Sequence, residues 1–214
     1  MNYSSSTGEG VINPDESTEL TDGVLIEDSY DLTIEFDDVA QKRIARELGR
    51  RILHTKNKWR LSWADVHMYE DYSLCLCPEP EEKLMFANGF SLERYFYDVL
   101  IPYFYFQSFL GKFGREPWKS SSHRQAGLLE SYRKQSSVDV PIKEVINCYQ
   151  AHLSPFLLKI ASDSKNIDPN MICVCGSNKK FTECHPLAFE GLAKLHVDFS
   201  SLQAKKIRLR SKSI

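Results

Sequence analysis

His67-Met68-Tyr69-Glu70-Asp71-Tyr72-Ser73-Leu74-Cys75-Leu76-Cys77 is the stretch on which the reading of this chain turns. It sets a thiol just after a polar turn and between two leucines, with an imidazole eight residues earlier. A thiol that carries an acyl group must be reachable from solvent and needs a donor near the oxyanion that forms during transfer. It needs no strongly depressed pKa where the acyl group arrives already activated as a thioester. That separates such carriers from cysteine proteases, in which a His base adjoins the nucleophile. An isolated Leu-Cys-Leu step is equally an ordinary core pattern, because an unmodified thiol packs as a small hydrophobe.

Outward from this stretch, Trp59 to Cys77 reads as irregular or extended, and Pro78 and Pro80 stop any helix there. Upstream, Val24-Leu25-Ile26 and Leu32-Thr33-Ile34-Glu35-Phe36 are expected strands, the second alternating apolar and polar residues. The basic stretch Gln41 to Lys58 carries Ile44, Leu48 and Ile52 at helical spacing and is expected to be a helix. Residues 1–22 are rich in Ser, Thr, Gly, Asp and Glu and are expected to form a disordered acidic tail. Downstream, Ser91 is an expected N-cap for a helix that sets Leu92, Tyr95, Phe96, Val99 and Leu100 on one face. Pro102 is expected to kink or break it, with the apolar aromatic run continuing from Tyr103 to Phe113 and Gly114. Residues 115–124 read as a polar loop anchored by Trp118. Asp139 and Pro141 then open an amphipathic helix that turns Ile142, Val145, Ile146, Tyr149, Leu153 and Phe156-Leu157 inward, with Cys148 packing on the same face. Ser162 to Asn170 reads as a linker, and Lys205 to Ser213 as a basic tail.

Cys173-Val174-Cys175-Gly176-Ser177-Asn178-Lys179-Lys180-Phe181-Thr182-Glu183-Cys184-His185 gathers four soft or borderline ligands within thirteen residues. Three Cys and one His are the number that tetrahedral zinc takes. In extended backbone, side chains at i and i+2 point the same way, so Cys173 and Cys175 can grip one ion. Gly176 lets the chain turn at once, and Lys179 and Lys180 can offset the charge of three thiolates. Four protein ligands leave no open position for water, so the expected zinc is structural.

Bulk properties narrow the function classes. The 214 residues allow one domain of ordinary size and a small appendage. With 42% hydrophobic and 26% charged residues, a packed core is expected and wholesale disorder is not. A formal net charge of -2 argues against a dedicated nucleic-acid binder. No apolar run is long enough to span a bilayer, and MNYSSSTGEG has neither the basic start nor the apolar stretch of a secretory signal. A cytoplasmic protein with six reduced cysteines is therefore expected, in which metal binding or catalysis outranks disulfides.

The residues 67–77 resemble the active-site segment of ubiquitin-conjugating enzymes, in which a His precedes a turn and a Leu-Cys-Leu-like step bears the catalytic cysteine. They look closer still to the bacterial branch of that family found in short cyclic-oligonucleotide anti-phage (CBASS) operons. Its members carry a similar His-x-Tyr-x-Asp-x-Ser-Leu-Cys-Leu string, a long apolar helix, and a Gly-x-x-Pro-Trp…Ser-His segment. Here those later parts read Gly114-Arg115-Glu116-Pro117-Trp118 and Ser122-His123, and the resemblance spans roughly residues 24 to 132. It implies that Cys75 forms the thioester, that His67 organises the active-site loop, and that His123 is a supporting or proton-handling group. Three departures stand out. Tyr72 occupies a turn position that is usually Gly and disfavours a positive φ there. Arg124 replaces the Gly that usually follows the His. The Asn that supports the oxyanion in eukaryotic relatives has no counterpart. Separately, residues 173–185 resemble the SEC-C zinc motif, a module that mediates protein contacts at the end of the bacterial secretion ATPase and elsewhere.

Together these readings predict an α+β, ubiquitin-conjugating-like domain, a small antiparallel sheet flanked by helices, followed by a helix and a zinc knuckle. The expected division is a tail at 1–22, the conjugating-like domain at 23–165, the knuckle at 170–188, and a helix with basic tail at 189–214. By resemblance, the partner is the CD-NTase-type nucleotidyltransferase that makes cyclic oligonucleotides. Its C-terminus would be held on Cys75 and passed to an acceptor lysine or released, priming it for anti-phage signalling. A non-catalytic adaptor, binding through the aromatic helix and the knuckle, is the alternative. An accessory of protein export rests on the knuckle alone.

Overall fold

Leu32–Phe36, the segment with the clearest polar–apolar alternation, lies inside a nine-residue strand of a mixed α+β chain. The structure is a computed structural model, and it describes residues 2–4, 25–37, 42–136, 140–163 and 167–211. In chain order the elements are β1 (Asn2–Ser4), β2 (Ser29–Asp37), β3 (Lys42–Glu47), α1 (Arg51–Trp59), α2 (Glu79–Met85), α3 (Leu92–Tyr95), a π-helical turn (Phe96–Leu100), α4 (Ile101–Phe113), α5 (Arg124–Lys134), α6 (Ile142–Gln150), α7 (Pro155–Ser162), α8 (Phe181–Cys184) and α9 (Pro186–Ser211). The small sheet is antiparallel throughout, in the order β1-β2-β3, with Ile34 opposite Ala45.

The chain divides into two compact units. The first comprises Met1–Leu76 and Ser91–Ser120, the second Cys77–Phe90 and Ser121–Ile214. In the first, the sheet, α1 and the α3–α4 helix enclose a core that includes Tyr30, Ala45, Ile52, Phe104 and Phe109. The Tyr30 hydroxyl donates to Ser108 Oγ (2.9 Å), which donates to Asp28 Oδ2 (2.9 Å), so a buried polar chain fastens the start of β2 to α4. Arg51 closes it by an ion pair with Asp28 and stacks on the Tyr30 ring. In the second unit, helices surround Leu129, Tyr132, Tyr149, Leu157 and Leu192, all buried.

Several expectations are corrected. Lys42–Glu47 is not helical but is strand β3; the helix begins only at Arg51, after Gly49 and a left-handed Arg50 (φ 55°) break the chain. Ile44 and Leu48 fit a helical spacing, but pairing with β2 satisfies this backbone instead, and Leu48 is left exposed. Leu25 and Ile26 form no strand, and Val24 lies outside the described residues. Asn2–Ser4, expected in a disordered tail, pairs with β2, while 5–22 lies outside the described residues. Pro102, expected to kink or break its helix, does not break it. The Ile101 amide donates to Phe96 O, five residues back, and this π turn makes room for the proline ring at the start of α4. The Pro141 helix stops at Gln150, and Ser154 caps a new one by accepting from the Leu157 amide (3.3 Å). Leu157 is buried there, but Phe156 points outward and is 60% exposed. Asp139, expected to open that helix, lies outside the described residues. The basic stretch from Lys205 continues α9 as helical backbone to Ser211.

Candidate functional site

The residues around Cys75 form a tight, doubly crossed loop within the first unit. Met68 and Leu74 face each other as an antiparallel bridge, the Tyr69 amide donates to Ser73 O (2.8 Å) and the Tyr72 amide donates to Tyr69 O (3.0 Å). The Cys75 amide donates back to His67 O (2.8 Å). The outgoing arm lies along the sheet edge: Arg46 bridges Ser73, and the Leu74 amide donates to Ala45 O (2.9 Å). At the tip, the Ser73 hydroxyl and amide both donate to Asp71 Oδ1 (2.6 and 3.0 Å), and these bonds hold the Asp71 carboxyl below its usual range. Met68 and Leu74 are buried and pin the loop from below, while Cys75 is partly exposed.

Beneath the loop runs α4. The Tyr103 hydroxyl donates to His67 O (3.0 Å) and Val66 O (3.3 Å), and Gln107 Nε2 donates to Val66 O (2.8 Å). The His67 ring packs edge-on against Phe106, with centroids 5.3 Å apart. His67 itself is left-handed, at φ 45°. Tyr72 is left-handed too, at φ 65°, against the expectation that its side chain would disfavour such a turn. The turn hydrogen bond of its amide, and an edge-on contact of its ring with Trp63 (5.9 Å), hold it there. Trp118, the expected anchor of the loop after α4, stacks face to face on Tyr105, with centroids 5.6 Å apart.

His123 belongs to the second unit, whereas His67 and Cys75 belong to the first. It is exposed and immediately precedes α5. The preceding Ser122 is fixed by Glu130, which accepts from its amide and its hydroxyl, both at 2.7 Å. Arg124, in the position where the resembling family has Gly, has φ 58°.

The second site is the cluster of Cys173, Cys175, Cys184 and His185, whose ligand atoms all lie within 4.8 Å of one another and could hold a metal ion. Cys173 Sγ is 3.1 Å from His185 Nδ1, and Cys175 Sγ is 3.6 Å from Cys184 Sγ. The backbone builds this convergence. The Cys173 amide donates to Lys179 O and the Phe181 amide to Met171 O, both at 2.8 Å, and Gly176 makes the turn between them at φ 81°. Cys184 ends one short helix, α8, and His185 caps it, with the helix seated by the fully buried Phe181. Burial pushes the Cys173 thiol up to about 12, whereas hydrogen bonding to Ser177 draws Cys175 down to about 6. No disulfide joins any of the six cysteines. Cys148, expected to pack inward on α6, is half-buried, and burial raises its pKa.

No family model, curated protein or solved structure matches this chain. Among the described residues, no helix is long and apolar enough to cross a membrane. Tyr103 and Gln107, which brace the Cys75 loop, were not singled out from sequence. The signal available was Gln107-Ser108, two uncharged polar residues inside the otherwise apolar run Ile101 to Leu110.

Proposed function

We propose that this protein is a ubiquitin-conjugating-like acyl carrier whose Cys75 forms a thioester with the C-terminus of a CD-NTase-type cyclic-oligonucleotide synthase. The observation that carries the reading is the setting of Cys75: a partly exposed thiol at the exit of a loop whose buried flanks and carbonyls are fixed from beneath. A carrier thiol must be reachable and held still, and both conditions are met. The resemblance gains support from Tyr72 and Arg124. Both stand where the family has glycine, and both have the positive φ that glycine would supply. In the reaction, the Cys75 thiolate attacks the carbonyl of an incoming thioester, a carbon–sulfur bond to Cys75 forms, and the donor thiolate leaves. An acceptor lysine amine then attacks the same carbonyl and releases Cys75, with proximity supplying much of the rate. The outcome is a modified synthase primed for anti-phage signalling.

Zinc is the ion proposed for the cysteine cluster. Zinc–sulfur bonds of about 2.3 Å at tetrahedral angles set sulfurs about 3.8 Å apart, close to the 3.6 Å between Cys175 and Cys184. Bound there, zinc would hold four ligands and supply stability rather than chemistry.

A second reading, a non-catalytic adaptor, is favoured by the aromatics left at the surface of the first unit, including Tyr97 and Trp118, the latter 41% exposed. Intact mass spectrometry under non-reducing conditions, after co-expression with a cyclic-oligonucleotide synthase and an enzyme that activates its C-terminus as a thioester, separates the two. The carrier predicts an adduct equal to both masses less one water, cleaved by hydroxylamine and absent in Cys75→Ala. Copurification without an adduct, in the wild type and in a Cys75→Ser trap alike, transfers the conclusion to the adaptor.

A further inference from the structure

We propose that Tyr103 and Gln107 are positioning residues for Cys75, a two-point clamp that fixes the carbonyls of Val66 and His67 and through them the thiol. The inference rests on the thioester reading above and adds to it the residues that set the geometry of the nucleophile. Tyr103 and Gln107 lie four residues apart on α4, hence on one face, and are 7% and 2% exposed. The α4 backbone is hydrogen-bonded within its own helix, and a leucine or methionine would fill either place without burying a polar group. Both side chains spend their donors on the same short stretch. Gln107 Nε2 reaches Val66 O at 2.8 Å, and the Tyr103 hydroxyl reaches His67 O at 3.0 Å and Val66 O at 3.3 Å. Gln107 Oε1, by contrast, is buried with no donor among the described residues, so the amide is not there for its own satisfaction.

The link to the thiol is direct. His67 O, held by the Tyr103 hydroxyl, is also the acceptor of the Cys75 amide at 2.8 Å. One oxygen therefore carries both bonds, and a shift of the clamp is a shift of Cys75. The held peptide is strained, since His67 sits at φ 45°, where a side chain clashes with its own backbone. Such strain persists only where surrounding contacts over-determine it, and here those contacts include the clamp, the Phe106 ring, the Cys75 bond and the bond of the His67 amide to Ala64 O. Burial, with the charge of Cys75 adding to it, pushes the Tyr103 hydroxyl well above its usual range, so it remains a donor at neutral pH.

The test uses the full chain and two probes. The first is a peptide matching the synthase C-terminus, supplied as its mercaptoethanesulfonate thioester, so that exchange onto Cys75 releases mercaptoethanesulfonate and needs no activating enzyme. The second is iodoacetamide, with labelling of Cys75 read by peptide mapping. Tyr103→Phe and Gln107→Met are expected to lower the saturating rate constant for single-turnover loading of Cys75 roughly tenfold, as loss of an aligned geometry does, with the half-saturating peptide concentration within about twofold. Labelling of Cys75 by the small, undirected reagent should become faster, because the loop is released. A role confined to stability lowers Tm and moves neither quantity in the folded protein. An unchanged loading rate constant and unchanged labelling in both variants overturn the clamp, as does a rise in the half-saturating concentration at constant rate. Should Tyr103→Phe fail to fold, Gln107→Met carries the test alone. Should the wild type accept no peptide, the thioester reading falls, and the labelling comparison still decides whether Tyr103 and Gln107 hold Cys75.

Discussion

At the scale of single residues, one tight constraint is a missing side chain. A Cβ on Gly191 of α9 would lie 2.0 Å from the carbonyl oxygen of Leu129 on α5, far inside any van der Waals contact. Gly191→Ala is therefore expected to force the two helices apart and to cost about 3 kcal/mol, the upper end for overpacking, despite the better helix propensity of alanine. Urea denaturation of the variant checks this, and a change below about 0.5 kcal/mol would show that the helices can slide. Residue identity was legible where chemistry demands particular atoms: the three cysteines and the histidine of the cluster do converge. It misled where backbone and side chain disagree. Tyr72 argues against a left-handed turn, yet its amide hydrogen bond and the Trp63 ring hold it in one.

At the scale of elements, the cysteine cluster is part of a core rather than a pendant. Cys173 and Phe181 are buried among the same apolar side chains as Leu157, Ala188 and Leu192. With an ion bound there as proposed, its removal would leave three thiols crowded together beside that core, so the loss should spread into the helices. Chelation at neutral pH, or Cys184→Ser, is expected to lower the thermal midpoint of the second unit by roughly 10 °C, which corresponds to about 3 kcal/mol for a unit of this size. Circular dichroism melts with and without chelator, alongside metal analysis, read this out; an unchanged midpoint in a metal-loaded sample would sink it. Element boundaries were the least legible part of the chain. The spacing of Ile44, Leu48 and Ile52 matches a helix, but Gly49 and left-handed Arg50 split it into a strand and a helix. Pro102 reads as a kink or a break from sequence because nothing local announces that the preceding turn widens to accept it.

At the scale of the molecule, buried tyrosines set the alkaline limit. Burial raises the hydroxyl of Tyr30 from 10.0 to about 12, and burial likewise raises Tyr103, Tyr132 and Tyr149. For Tyr132, its hydrogen bond to Asp198 adds to the effect. In each case the folded chain keeps a proton that the unfolded chain gives up near pH 10. The stabilisation is therefore fully present below pH 10 and is lost as pH rises toward the folded values. The expected loss is up to about 1.4 kcal/mol per pH unit for each tyrosine. Urea midpoints that hold steady from pH 8 to 9.5 and fall above pH 10, together with late tyrosinate absorbance in the native state, match this; a flat profile to pH 11 would contradict it. The mixed α+β class was legible, since alternation and helical spacing each mark a part of the chain. The partition into two units was not, because neither unit is a continuous segment.

That interleaving governs how the chain comes off the ribosome. Residues 77–90 emerge before the first unit has received Ser91–Ser120, yet they belong to the second, which is not synthesised until after Ser121. Leu84, which ends up packed in the second core, must therefore wait uncovered while the thirty residues Ser91–Ser120 of the other unit are made. A chain truncated after residue 120 would thus contain every residue of its first unit while leaving α2 without the rest of the second. That interval is where a chaperone would bind, and where overproduction would turn the protein toward aggregates.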